Sequence, residues 1–196
     1  MLKIFITNLS EYNNGNLIGE WISLPTDSSF INQTINRILS SDDSEEVFIT
    51  DWEWIDKTIF EIGEYDNIQM LNSKIVKLND LSSYQLESIS FLIKEGICKS
   101  DDLDECINQS YDVVIHRNKS MRDIGIERIK EMVGLNEIPS IITNNIDYDG
   151  VGEEIRVGGY FVEDGNTIYE YIGEWWYSVI YHSIYLILKN KRGLIF

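Results

Sequence analysis

The hydrophobic period switches repeatedly along this chain, and that switching limits its fold more than any single motif. A two-residue alternation places side chains on opposite faces of a strand, whereas a 3.6-residue spacing makes one stripe on a helix. KIFITNLS (3–10) alternates as a strand. EYNNGN (11–16) supplies the Asn and Gly of a loop or hairpin turn, and LIGEWISL (17–24) reads as the return strand, ended by Pro25. In TDSSFINQTINRIL (26–39), Phe30, Ile31, Ile35, Ile38 and Leu39 follow helical spacing. Thr26 is the expected N-cap and Asp27 sits in the first turn, where the helix dipole favours an acid. VFITDWEW (47–54) returns to strand character.

From Ile62 to Ile107 the period becomes helical. Ile68, Leu71, Ile75 and Leu78 mark one helix, and SSYQLESISFLIKEG (82–96) a second, with Ser82 and Gln85 at capping-box spacing and Gly96 as its stop. SDDLDECI (100–107) predicts a third, short helix capped by Ser100. Strand character resumes at YDVVIH (111–116). A helix follows over 120–134, with Ser120 and Asp123 at capping spacing and Gly134 at its end. Pro139 suits the first position of a helix within 137–146. The run 156–172 is a hairpin signal centred on Asp164–Gly165. The pattern therefore predicts an α+β chain of three small units: 1–61, a three-stranded antiparallel sheet with a helix; 62–108, helical; and 109–172, an antiparallel sheet with helices. An apolar extension, 173–196, follows.

Charge is the compositional outlier. The chain has 33 acids against 16 bases, a net charge of −17 and a pI near 4.4. With 43% hydrophobic and 12% aromatic residues it has the material for a core and is not a disordered acidic tail. A binder of phosphate needs a basic footprint, so direct nucleic-acid or anionic-membrane binding is not expected. The acids cluster: SSDDSEE (40–46) precedes a strand in which Asp51 and Glu53 alternate with Trp52 and Trp54. Plain alternation puts Phe48, Thr50, Trp52 and Trp54 on one face and Val47, Ile49, Asp51, Glu53 and Ile55 on the other. Trp21, Trp52 and Trp54 are expected to pack in the core.

Catalytic motifs are not in evidence. His116 and His182 lie in unrelated contexts, and there is no GxSxG. Cys98 and Cys106 form no CxxC or zinc pattern and read as free thiols of an intracellular protein, since MLKIFITNLSEY does not resemble a signal peptide. VGGY (157–160) lacks the lysine and spacing of a phosphate loop. DDLDE (101–105) lacks the ligand spacing of an EF-hand, so no metal or cofactor is expected. Acidic pairs are too numerous to single out a hydrolase site. The apolar run WWYSVIYHSIYLIL (175–188) is shorter than the ~20 residues of a membrane span. The charge itself has two readings, a solvated surface or an imitation of phosphates. A dimer would carry about −34, matching roughly 58 Å of duplex at one charge per ~1.7 Å.

The order of motifs favours imitation. FITNLSEYNNGNLIGEWISLPTD (5–27), FITDWEW, IGEYDNIQMLN (62–72) and the stretch 111–171, with its "IP", "IDYDGVGEEI" and closing hairpin, resemble in colinear order the ArdA antirestriction proteins, over roughly residues 3–171. The resemblance implies an elongated, acidic, cytoplasmic homodimer encoded by a phage or other mobile genetic element. It implies a protein that is not an enzyme, mimics bent B-DNA and occupies the DNA-binding channel of type I restriction–modification enzymes, on their methyltransferase core. It also places dimerisation in the third unit. The expected mimic surface comprises Asp42, Asp43, Glu45, Glu46, Asp51, Glu53, Asp56, Glu61, Glu64, Asp66, Asp101, Asp102, Asp104 and Glu105.

Two stretches depart from the family pattern. The acidic motif helix of the family matches RDIGIERIKEMVG (122–134), which here mixes Arg122, Arg128 and Lys130 with its acids. Asp123, Glu127, Arg128 and Glu131 are therefore candidates for that motif or for a dimer seam. The extension 173–196 ends in Lys189, Lys191 and Arg192, and reads foremost as an extra helix on the third unit or the seam. An interfacial anchor and a partner-binding element are its alternatives. For the whole protein the alternatives are mimicry aimed at another defence nuclease or a DNA-binding regulator, a carboxylate-dependent hydrolase, and a scaffold.

Overall fold

The computed structural model describes residues 1–39, 46–133 and 139–173. It is α+β, with two three-stranded antiparallel sheets and eight α-helices among the described residues. The chain divides into two compact units, Met1–Ile107 and the part from Asn108 onward. The extension from 174 on lies outside the described residues, as do Gly134 and the acidic loop 40–45.

In the first unit, β1 (Leu2–Asn8) is the central strand, between β2 (Gly19–Leu24) and β3 (Val47–Trp54), all antiparallel. A short helix, α1 (Leu9–Asn13), occupies part of the expected turn because the Asn8 side chain accepts from Glu11 N–H and starts a helical turn. α2 (Ser28–Ile38) begins one residue later than the sequence suggests: Asp27, not Thr26, is its N-cap. Thr26 is engaged elsewhere, its N–H donating to Asn72 Oδ1 and its C=O accepting from Asn72 Nδ2, both at 2.9 Å. The core lies between the sheet and its helices, on Leu2, Ile4, Ile6, Ile22, Leu24, Ile31, Ile38 and Ile49.

A bulge corrects the expected faces of β3. Phe5 pairs with Asp51 but Ile6 pairs with Ile49, so Thr50 is an extra residue in the ladder. Its Oγ1 meets Thr7 Oγ1 at 2.7 Å. The bulge moves Ile49 onto the core face with Trp52 and Trp54, and puts Phe48 on the opposite face with Asp51 and Glu53. Trp21 also departs from expectation: it pairs with Phe5 on the solvent face and is 49% exposed.

α3 (Ile68–Asn79), α4 (Ser83–Lys94) and α5 (Leu103–Gln109) complete this unit around Leu71, Ile75, Leu78, Ile89, Leu92 and Leu103. α4 carries the expected reciprocal box of Ser82 and Gln85. α5 is capped by Asp102, whose Oδ1 accepts from Glu105 N–H, rather than by Ser100. Cys98 and Cys106 are not free thiols: they form a disulfide with Cα atoms 5.6 Å apart, joining the end of the α4 segment to α5.

In the second unit β4 (Val113–Arg117), β5 (Tyr160–Asp164) and β6 (Thr167–Tyr171) form a sheet of order β4-β6-β5. Gly165, at φ +60°, makes the β5–β6 turn that the sequence marks. α6 (Met121–Val133) starts with Ser120 and Asp123 bonded reciprocally. Pro139 is the N-cap of a short α7 (Ser140–Thr143) rather than its first residue. The sequence reading did not anticipate α8 (Tyr148–Gly158), which takes the first residues assigned to the hairpin. It crosses α6 with backbones nearly touching: a Cβ on Gly152 would lie 2.4 Å from Met121 O.

Candidate functional site

Each of the eleven described candidates for the acidic surface is exposed: Glu46, Asp51, Glu53, Asp56, Glu61, Glu64, Asp66, Asp101, Asp102, Asp104 and Glu105. Asp42, Asp43 and Glu45 lie outside the described residues. The eleven fall into two groups. The first follows the edge strand β3 and the chain that leaves it. Ile49 N–H donates to Glu64 C=O at 2.8 Å, and the Tyr65 ring stacks on Phe48, so the 61–66 segment runs beside β3. Asp66 closes a turn by accepting from Gly63 N–H at 2.9 Å. Among the described residues, Glu46, Asp51, Asp56, Glu61, Glu64 and Asp66 have no lysine or arginine within ion-pair distance, whereas Glu53 meets Lys3 at 3.4 Å.

The second group surrounds α5, and the sequence reading missed its counter-charges. Lys74 and Lys77, one turn apart on α3, reach Asp101 at 2.8 Å and Asp104 at 2.7 Å. The hydrogen bond from Lys74, aided by its charge, holds the Asp101 carboxyl below its ordinary range. Both carboxylates remain open to water on their outer sides, with side chains 90% and 72% exposed. The signal available in sequence was the pair of lysines at helical spacing, but nothing local showed that they face residues 27 positions away. Glu20 is likewise tied to Arg37 through a bidentate contact, which lowers the Glu20 pKa.

The candidates on α6 are engaged in local contacts. The Asp123 carboxylate accepts from the N–H and Oγ of Ser120, the residue before α6, and these bonds lower its pKa. Glu127 pairs with Lys119 at 2.7 Å and Glu131 with Arg128 at 3.4 Å. Arg128 also donates to Glu170, a buried carboxylate on β6 whose other oxygen lies 2.9 Å from His116 Nε2. Glu170 was not singled out from sequence, because alternation alone does not reveal a buried acid with two basic partners. Among the described residues, no group of three or more His, Cys, Asp and Glu side chains is placed to hold a metal ion, and no helix is long and apolar enough to cross a membrane.

The charge is divided unequally between the units. Residues 1–107 hold 20 acids and 7 bases, a net of −13, while residues 108–196 hold 13 and 9, a net of −4. Fold and surface together define an acidic α+β protein that concentrates exposed carboxylates on its first unit and uses those of α6 in local pairs. A family model for the antirestriction protein ArdA matches residues 4–168. The chain therefore belongs to the ArdA family, whose role is antirestriction. No curated protein matches it by sequence.

Proposed function

We propose that this protein is a non-catalytic DNA mimic that inhibits type I restriction–modification enzymes by occupying their DNA-binding channel. The observation that carries the reading is the concentration of a net −13 in residues 1–107, with six of the β3-edge acids exposed and free of cationic partners among the described residues. At one phosphate charge per ~1.7 Å of duplex axis, that charge equals roughly 22 Å of B-DNA. A surface of this kind competes for a basic channel and is steered to it by long-range attraction, which salt weakens. The family resemblance supports a homodimer joined through the second compact unit, where the paired charges of α6 cost less to bring together than free acids. It also supports action in the host cytoplasm.

The test is a cleavage assay. A purified type I enzyme, unmodified plasmid carrying its site and increasing amounts of this protein are combined at several salt concentrations. The proposal expects inhibition near stoichiometry that weakens with salt. Undiminished cleavage at large excess, with representatives of several type I families, would reject it.

A further inference from the structure

The outer face of the first sheet carries an exposed tryptophan that the charge argument leaves unused. Trp21 on β2 stands opposite Phe5 on β1, with ring centroids 5.4 Å apart. Phe5 also lies against Gly19: a Cβ there would be 3.0 Å from the Phe5 ring and 2.4 Å from Ile6 O. The Phe5 ring is thus held between Gly19 and the indole, and braces Trp21 while it stays 49% exposed. Across the sheet the same row continues from Phe5 to Asp51, and the adjacent row runs from Ser23 through Lys3 to Glu53. Trp21 therefore sits on the carboxylate-bearing face, while the core of the sheet lies on the other.

A braced, half-exposed indole adds little to this core. It has the character of an interface anchor, since binding energy concentrates in a few aromatic or arginine side chains surrounded by weaker polar contacts. Charge complementarity selects the partner class: Glu53 is paired with Lys3, but Asp51 has no cation within ion-pair distance among the described residues, so the face keeps a negative charge that suits a basic surface. A channel that binds duplex DNA offers cations for the phosphates and, between them, polar and apolar groups that meet base edges in the grooves.

We propose that Trp21 is the aromatic anchor of this protein in the DNA-binding channel of its target restriction–modification enzyme, packing where the channel would meet a base rather than a phosphate. The inference rests on the mimicry reading above. The carboxylates supply the salt-dependent part of the affinity, and Trp21 supplies a part that salt does not change.

The experiment compares Trp21→Ala, Trp21→Gln and Trp21→Phe with Asp51→Asn in the cleavage-inhibition assay across a salt series, with thermal unfolding and sedimentation run on each variant. Trp21→Ala and Trp21→Gln should raise the half-inhibiting concentration about 10- to 100-fold at every salt concentration, as expected for an anchor residue. The slope against salt should not change. Trp21→Phe should retain most of the inhibition, and Asp51→Asn should lose little affinity but flatten the slope. Folded Trp21→Ala or Trp21→Gln protein that inhibits like wild type overturns the proposal alone. So does a loss of inhibition that tracks a change in oligomeric state, which would make the face a contact between copies. Failure of the wild type to inhibit at all overturns the mimicry reading, and this proposal with it.

Discussion

Replacing Asn72 with Ala should destabilise the first unit far more than the loss of an ordinary polar side chain. Asn72 is 5% exposed, and its amide bonds to both main-chain groups of Thr26 at 2.9 Å. These two bonds tie α3 to the loop between β2 and α2. Truncation leaves the part-buried Thr26 N–H and C=O without these partners, at about 1–3 kcal/mol per orphaned group. Some water can reach Thr26, so we expect a total near 2–3 kcal/mol. At roughly 4–8 °C per kcal/mol for a unit of this size, the melting point should fall by roughly 8–24 °C. Asn72→Asp should do no better, because a carboxylate cannot donate to Thr26 C=O. Urea unfolding followed by far-UV circular dichroism measures the change directly. A midpoint within about 0.5 kcal/mol of wild type would refute the argument that these bonds join the sheet to α3. Because α3 carries Lys74 and Lys77, which hold Asp101 and Asp104, the variant should also inhibit less well at temperatures where it remains folded.

Four further outcomes follow. Glu170→Ala should cost about 2–3 kcal/mol in the second unit, since it leaves His116 and Arg128 without their buried acceptor, while Arg128 keeps partial access to water; chemical denaturation with a probe in that unit measures it. Gly152→Ala should cost about 1–3 kcal/mol by driving α8 against Met121 O, and a normal melting curve would contradict the close crossing. Single changes of Asp51, Asp56, Glu61 or Glu64 to the amide should each alter inhibition by less than about 1 kcal/mol, and one that abolishes it in a folded protein would count against a distributed surface. Glu20, Asp101 and Asp123 have lowered pKa values in the folded chain, as has Glu153 on α8, which accepts hydrogen bonds from Arg156, so their contribution to stability is present above the ordinary carboxylate range and is lost as pH falls through the folded values. Acid titration should therefore show stability roughly level near neutrality and declining below about pH 4.

What was legible in the sequence was local. The Ser82–Gln85 box, the Ser120–Asp123 cap and the Gly165 turn depend on residues within a few positions of one another, and each has its expected chemistry in the fold. What was hidden depended on distant partners. Simple alternation misassigned Phe48 and Ile49 because the Thr50 bulge exists only in the pairing with β1. The Thr26 cap failed because Asn72, far along the chain, takes both of its main-chain groups. α8 went unassigned because Gly150 and Gly152 are poor helix formers by propensity, whereas Gly152 is what lets α8 approach α6. The acidic candidates were visible one by one, but the pairing of Asp101 and Asp104 with α3 lysines was not, and it divides them from the free carboxylates beside β3.

The most direct measurement of the central claim is displacement of DNA. A type I restriction–modification enzyme is bound to a fluorescent duplex carrying its site, and this protein is titrated in at low and moderate salt. The account predicts release of the duplex near one equivalent of protein per binding channel, with a competition constant that weakens steeply as salt rises. A duplex that stays bound through a large excess of protein at low salt, in enzymes whose cleavage the protein nonetheless inhibits, would contradict occupation of the DNA channel.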